Sequence, residues 1–132
     1  MPHLANTLAI CCLTLSMARS CGCDRNSTAP VPSGTTPAEL NTRLAAALQM
    51  TISSVKDDTL RKLAMEAASA GEGKITLSAV GGIGNDSVRD AVARNCAHTL
   101  IKTKDRASAL EVAKAIQNVS LRDDTLRLLA AE

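Results

Sequence analysis

From Leu40 to the end of the chain, apolar residues return every three or four positions, the interval that keeps one face of a helix dry. Leu40, Leu44, Ala47, Leu48 and Ile52 form the first stripe and predict a helix from Pro37 or Ala38 to Ser53. Thr36 is its expected cap, with Pro37 at the first helical position. Leu60, Leu63, Ala64 and Ala67 predict a second helix that starts at Asp57 and is stopped by Gly71. A short third is expected over about Lys74–Gly82. The fourth starts at Asn85 and uses Val88, Ala91, Val92, Cys96 and Leu100; the fifth covers roughly Arg106–Asn118 and the sixth Asp123–Ala131.

A phrase recurs along these stripes: Asp57-Asp58-Thr59-Leu60-Arg61, Asn85-Asp86-Ser87-Val88-Arg89 and Asp123-Asp124-Thr125-Leu126-Arg127. Two aliphatics spaced by three precede each copy (Ile52/Val55, Val80/Ile83, Ile116/Val119). The phrase reads as the start of a helix. Asp57, Asn85 and Asp123 are expected N-caps, accepting from an otherwise orphaned backbone N–H. Asp58, Asp86 and Asp124 fall in the first turn, where the helix dipole favours negative charge. Arg61, Arg89 and Arg127 can pair with them three residues on, while Leu60, Val88 and Leu126 turn inward. The intervals are unequal, the step from Asp58 to Asp86 being shorter than that from Asp86 to Asp124. The shorter one squeezes the third helix against Gly81, Gly82 and Gly84 and marks that part as the least stable.

The chain of 132 residues contains no Phe, Tyr or Trp. A core of Leu, Ile, Val, Met and Ala suits close helix packing and disfavours a strand-rich fold. The missing rings exclude base stacking, an aromatic cation cage and aromatic interface anchors. Formal net charge is only +2, which excludes nucleic acid as an electrostatic partner. All four prolines lie at or before Pro37, as expected if nearly everything after them is helical.

The start of the chain is different. Leu4–Ala18 is an uncharged apolar run, short for a bilayer span and suited to a signal-peptide core. Ala18-Arg19-Ser20-Cys21 then resembles the lipobox of bacterial lipoproteins. That resemblance implies export and lipidation of Cys21, with attachment to the cell envelope; the competing expectations are plain secretion after cleavage at Ser20 and a terminus that is not cleaved or is artefactual. Cys23, after Gly22, is a second lipidation candidate. From Gly22 to Pro37 the chain is rich in Ser, Thr, Pro and Gly and reads as a disordered linker. The expected organisation is residues 1–20 signal-like, 21–37 linker and 38–132 one helical domain.

The chemical candidates are few. Gly81-Gly82-Ile83-Gly84 precedes a helix but follows no strand and has no P-loop Lys, so it reads as an inter-helix turn. Cys96 and His98 are two apart on a helix and face differently; Cys96 fits a buried stripe, with Ala68 its counterpart one copy earlier, and His98 fits an exposed position. Lys102, Lys104 and Arg106 form a solvated basic turn. The sequons at Asn26, Asn85 and Asn118 are short enough to be accidental. No catalytic, metal or cofactor residue is expected.

The alternation of Ser108-Ala109-Leu110-Glu111-Val112-Ala113-Lys114-Ala115-Ile116 with Leu121-Arg122-Asp123-Asp124-Thr125-Leu126-Arg127-Leu128-Leu129-Ala130 resembles degenerate tetratricopeptide-like or HEAT-like helical repeats. The resemblance implies an all-α, right-handed stack of about three antiparallel helical hairpins. It also implies a non-enzymatic module binding a protein or peptide on its concave face. Two further expectations stand beside it. The Leu126/Leu128/Leu129 face of the last helix has no polar helix to cover it, which suits self-association or a fragment of a longer repeat protein. A small metal- or thiol-dependent enzyme would have only Cys96 and His98 to work with.

Overall fold

The computed structural model describes residues 35–131, and all regular structure among them is helical. Six helices follow one another: α1 Pro37–Leu48, α2 Ser53–Ser69, α3 Gly73–Gly81, α4 Asp86–Lys102, α5 Arg106–Lys114 and α6 Val119–Ala131. The signal-like segment, Cys21, Cys23 and all of the linker before Thr35 lie outside the described residues.

The cap expected at the start of α1 is present, with Thr36 Oγ1 accepting from the Glu39 N–H at 3.3 Å. Asn85 also caps as expected, accepting from the Val88 N–H at 3.1 Å. The other two expected caps are not where the phrase put them. α2 starts at Ser53 behind Ile52, whose side chain cannot cap, so Asp57 lies inside the helix. α6 starts at Val119, with Asn118 accepting from the Leu121 N–H at 3.1 Å, so Asp123 is likewise interior. α1 and α5 end earlier than their stripes suggested. Ile116 belongs to the turn after α5 as Ile83 does to the turn after α3, and these turns are themselves packed: each isoleucine is 1 % exposed.

With the helices starting at these residues, a single interval takes the place of the unequal ones. The step from Ser53 to Asp86 equals that from Asp86 to Val119, so α2, α4 and α6 begin in register. The same step separates the starts of α3 and α5, Gly73 and Arg106, and the helix ends Leu48, Gly81 and Lys114. It also separates Gly71 from Lys104, the positive-φ residues of the two links between helix pairs (φ 76° and 68°). Both links use the same C-terminal hydrogen bonds. The Glu72 N–H donates to Ala67 O at 2.8 Å and the Asp105 N–H to Leu100 O at 2.9 Å, closing the helix through a left-handed residue. α3 is therefore not a squeezed helix, since α5 has the same length.

Each helix packs on the next in the chain, most extensively α2 on α3 and α4 on α5; α1, α3 and α5 also touch in succession, as do α2, α4 and α6. One continuous core runs through the three pairs, from Leu40 and Leu60 to Val112 and Ile116. Alanine fills much of it: Ala47, Ala64, Ala67, Ala93, Ala97 and Ala113 are all fully buried. With no aromatic ring to accommodate and alanine at these positions, the helices can come close.

Candidate functional site

At each junction between helix pairs one aspartate bridges to the turn of the next pair. Asp57, in the second turn of α2, accepts from the Gly84 N–H (2.8 Å) and the Asn85 N–H (3.1 Å). Asp90, in α4, accepts from the Gln117 N–H (3.0 Å) and the Asn118 N–H (2.8 Å). Donors and acceptor are displaced from one junction to the next by the same interval as the helix starts. Asn85 and Asn118 thus give their N–H to the preceding pair while their side chains cap their own helices. Asp90 is only 6 % exposed, and two donors on one carboxylate are what makes a buried charge tolerable. The last residue of the Gly81-Gly82-Ile83-Gly84 turn and Asn85 after it are thus both donors to Asp57.

The turn must also be thin. A Cβ on Gly82 would lie 2.7 Å from Leu48 Cδ2 and 2.9 Å from Leu60 Cδ1. A Cβ on Gly73 would overlap both Cβ and Oγ of Ser108. These glycines are contact points between pairs, rather than signs of an eroded one.

The expected Asp/Arg pairs form within the helices. Arg61 Nη2 is 2.6 Å from Asp58, Arg89 Nη2 is 2.7 Å from Asp86 and Arg127 Nη1 is 3.9 Å from Asp124. The Arg89 nitrogen lies outside hydrogen-bonding geometry and is buried without an acceptor, so that contact is one of charge alone. Lys62 joins Asp58 at 2.8 Å. The two cations hold the Asp58 carboxyl below its ordinary value, but such exposed pairs steady a surface more than a fold.

Cys96 is fully buried, its Sγ 3.7 Å from Met65 Sδ, and burial pushes its thiol up to about 12. It is a core side chain and a poor nucleophile. Its counterpart one interval earlier is Leu63, replacing the expected Ala68. His98 is half-buried, not exposed. Among the described residues no group of three or more His, Cys, Asp or Glu side chains is placed to hold a metal ion. No helix among them is long and apolar enough to cross a membrane.

Between α3 and α5 lies a mostly apolar groove of about 340 Å³. Gly73 and Ser108 form its closest approach, Leu77 and Leu110 its apolar walls, and Lys74 and Glu111 its charged rim. Leu77 and Leu110 are 38 % and 41 % exposed. They stand one interval apart, in a row with Leu44, which is buried. The apolar period along the chain singles out neither leucine, because alone each is an ordinary exposed residue. Only the common spacing brings them together.

No protein family, curated protein or solved structure matches this chain.

Proposed function

We propose that residues 37–131 are three helical repeats of equal length in a right-handed, solenoid-like stack, and that the stack is a non-enzymatic module binding a peptide or protein segment. What supports the repeat reading is the coincidence of helix starts, helix ends, positive-φ links and aspartate bridges at one spacing. What supports binding is the groove between α3 and α5. Its floor is held by a junction too tight for a Cβ, and its two exposed leucines come from successive repeats. Such a site takes an apolar side chain from a segment lying across the helices, with Lys74 and Glu111 at its rim meeting polar groups on either side. On the sequence resemblance, the module is exported to a bacterial envelope and held there through a lipidated Cys21; incorporation of labelled fatty acid that survives Cys21→Ser would sink the anchor.

The groove is tested with a display library of random dodecapeptides panned on the full chain. Enriched peptides should share an apolar anchor and lose binding to Leu77→Lys. No enrichment, or peptides indifferent to Leu77→Lys, would overturn the reading.

A further inference from the structure

Among the described residues, the internal junctions have complementary halves without partners at the two ends of the helical stack. In pairs two and three, Ile83 and Ile116 are buried; their counterpart in pair one, Met50, is 37 % exposed. Val88 and Leu121 are partly covered, while Val55, their counterpart, is half-exposed. The N–H groups of Gly84 and Asn85, and of Gln117 and Asn118, go to an aspartate. Those of Thr51 and Ile52, the corresponding positions of pair one, have no acceptor among the described residues, and α2 starts without a side-chain cap.

The other end mirrors this. Leu60 and Ala93 are fully buried, but Leu126 is only partly so; Ala64 and Ala97 are fully buried, but Ala130 is exposed. Asp57 and Asp90 each take two N–H groups, whereas Asp123, their counterpart in pair three, is exposed and accepts from nothing among the described residues. A hollow of about 300 Å³ beside Met50 and Val55 marks one end, and one of about 230 Å³ beside Leu126 and Leu129 marks the other.

We infer that this chain associates head to tail with a second copy, Asp123 of one molecule accepting from the Thr51 and Ile52 N–H groups of the next. Met50 and Val55 of that next molecule then cover Leu126 and Leu129. The occupant follows from continuity: the same acceptor and donor positions already bridge twice inside one molecule, and the corresponding apolar positions are buried or partly covered at both internal junctions. The contact is heterologous, so it propagates rather than closing on itself as a two-fold dimer does. It rests on the equal-length repeat proposed above. One position is less well matched than inside the molecule. Where the first junction has Gly82 beneath Leu60, a second copy brings Gln49 against Leu126. That makes the contact weaker than the internal ones, and Gln49→Gly should tighten it.

Sedimentation velocity of the full chain under reducing conditions, over a concentration series, tests this. The wild type should form a growing series of species. Asp123→Lys and Met50→Asp, both at exposed positions, should each keep the helical circular dichroism and weaken association about tenfold or more. Mixing the two variants should restore one contact only, giving a dimer that grows no further. Gln49→Gly should shift the series to lower concentration. A chain that stays monomeric throughout overturns the inference. So does association that both variants leave unchanged, or a mixture that does not dimerise. Leu77→Lys lies outside both end faces, so it separates the readings. Loss of peptide binding with intact self-association is a result about the groove, and the converse is a result about the ends.

Discussion

At the first junction Asp57 takes its two N–H groups half-exposed, and Leu48 and Leu60 close over Gly82. At the second, Asp90 takes the same two bonds while buried, and Gly73 meets Ser108 with no room for a Cβ. The hydrogen-bond plan is the same and the packing plan differs. Large apolar side chains over a bare backbone fill the first junction: Leu60 stands there where the second has Ala93, and Gly82 where it has Ala115. The second joins small residues at close range. Volume is conserved across a contact by trading size between partners, so neither junction tolerates the other's residues piecemeal. A carboxylate is also worth more where water cannot replace it.

Asp90→Ala should therefore be the most damaging change that removes no apolar contact. It leaves two N–H groups aimed at the place of a nearly buried carboxylate and should cost about 2–4 kcal/mol. Asp57→Ala, which removes a half-exposed carboxylate whose place water can take, should cost roughly half as much. Urea melts of both variants measure the difference; equal losses would mean that burial does not set the value of the bridge. Gly73→Ala comes next, at about 1–3 kcal/mol, because the obstacle is the Ser108 Cβ and cannot swing aside. Gly82→Ala should be milder, since it meets the ends of two leucine side chains. If Gly82→Ala proves the costlier, the close approach has been placed at the wrong junction.

The helical class and the number of helices were legible in the apolar period. The register was not, and the cause is a decoy. Ser54-Val55-Lys56-Asp57, Ser87-Val88-Arg89-Asp90 and Ser120-Leu121-Arg122-Asp123 are evenly spaced and carry the bridging aspartate. Asp86-Ser87-Val88-Arg89 looks more like Asp58-Thr59-Leu60-Arg61, and that likeness slides the middle copy out of step with the other two. It concealed Asp90 altogether, and it turned Asp57 and Asp123 into caps. A carboxylate just before a helical stripe satisfies the rule for an N-cap equally well whether it serves its own helix or the next pair's turn. Sequence pattern carries local grammar, whereas these bridges join residues in different helix pairs. Leu77 and Leu110 were missed for the same reason, as their relation exists only once the interval is known.

The links between pairs differ in one residue that matters. Gly71 adopts its positive φ freely, whereas Lys104 holds the same conformation against the cost of a Cβ. Lys104→Gly should raise stability by about 0.5–1 kcal/mol, and Gly71→Ala should lower it by a similar amount. Opposite signs in thermal melts are the expected outcome. A loss on Lys104→Gly would mean that the lysine side chain contributes more to the second link than its backbone costs.

The smallest expected effect separates pair one from pair two by pH. In pair one Glu66 of α2 pairs with Arg43 of α1, Nη2 to Oε2 at 2.8 Å, and accepts from the Thr35 hydroxyl at 2.7 Å. The corresponding positions of pair two are Thr76 and Thr99, which carry no charge. The Arg43 guanidinium, then the Thr35 hydroxyl, hold the Glu66 carboxyl below its ordinary value of 4.5. Its folded pKa is depressed, so its stabilisation is complete above the unfolded value and is lost as pH falls through the folded one. The pair is partly exposed, which limits it to a few tenths of a kcal/mol and at most about 1. Urea melts should show Glu66→Gln less stable than wild type near pH 7 by that amount. The gap should narrow on the acid side of the ordinary carboxylate value and close once the wild-type carboxyl is protonated. A gap that persists in acid would assign the contribution to packing of the glutamate stem, and pair one would then owe its cohesion to the same apolar contacts as pair two.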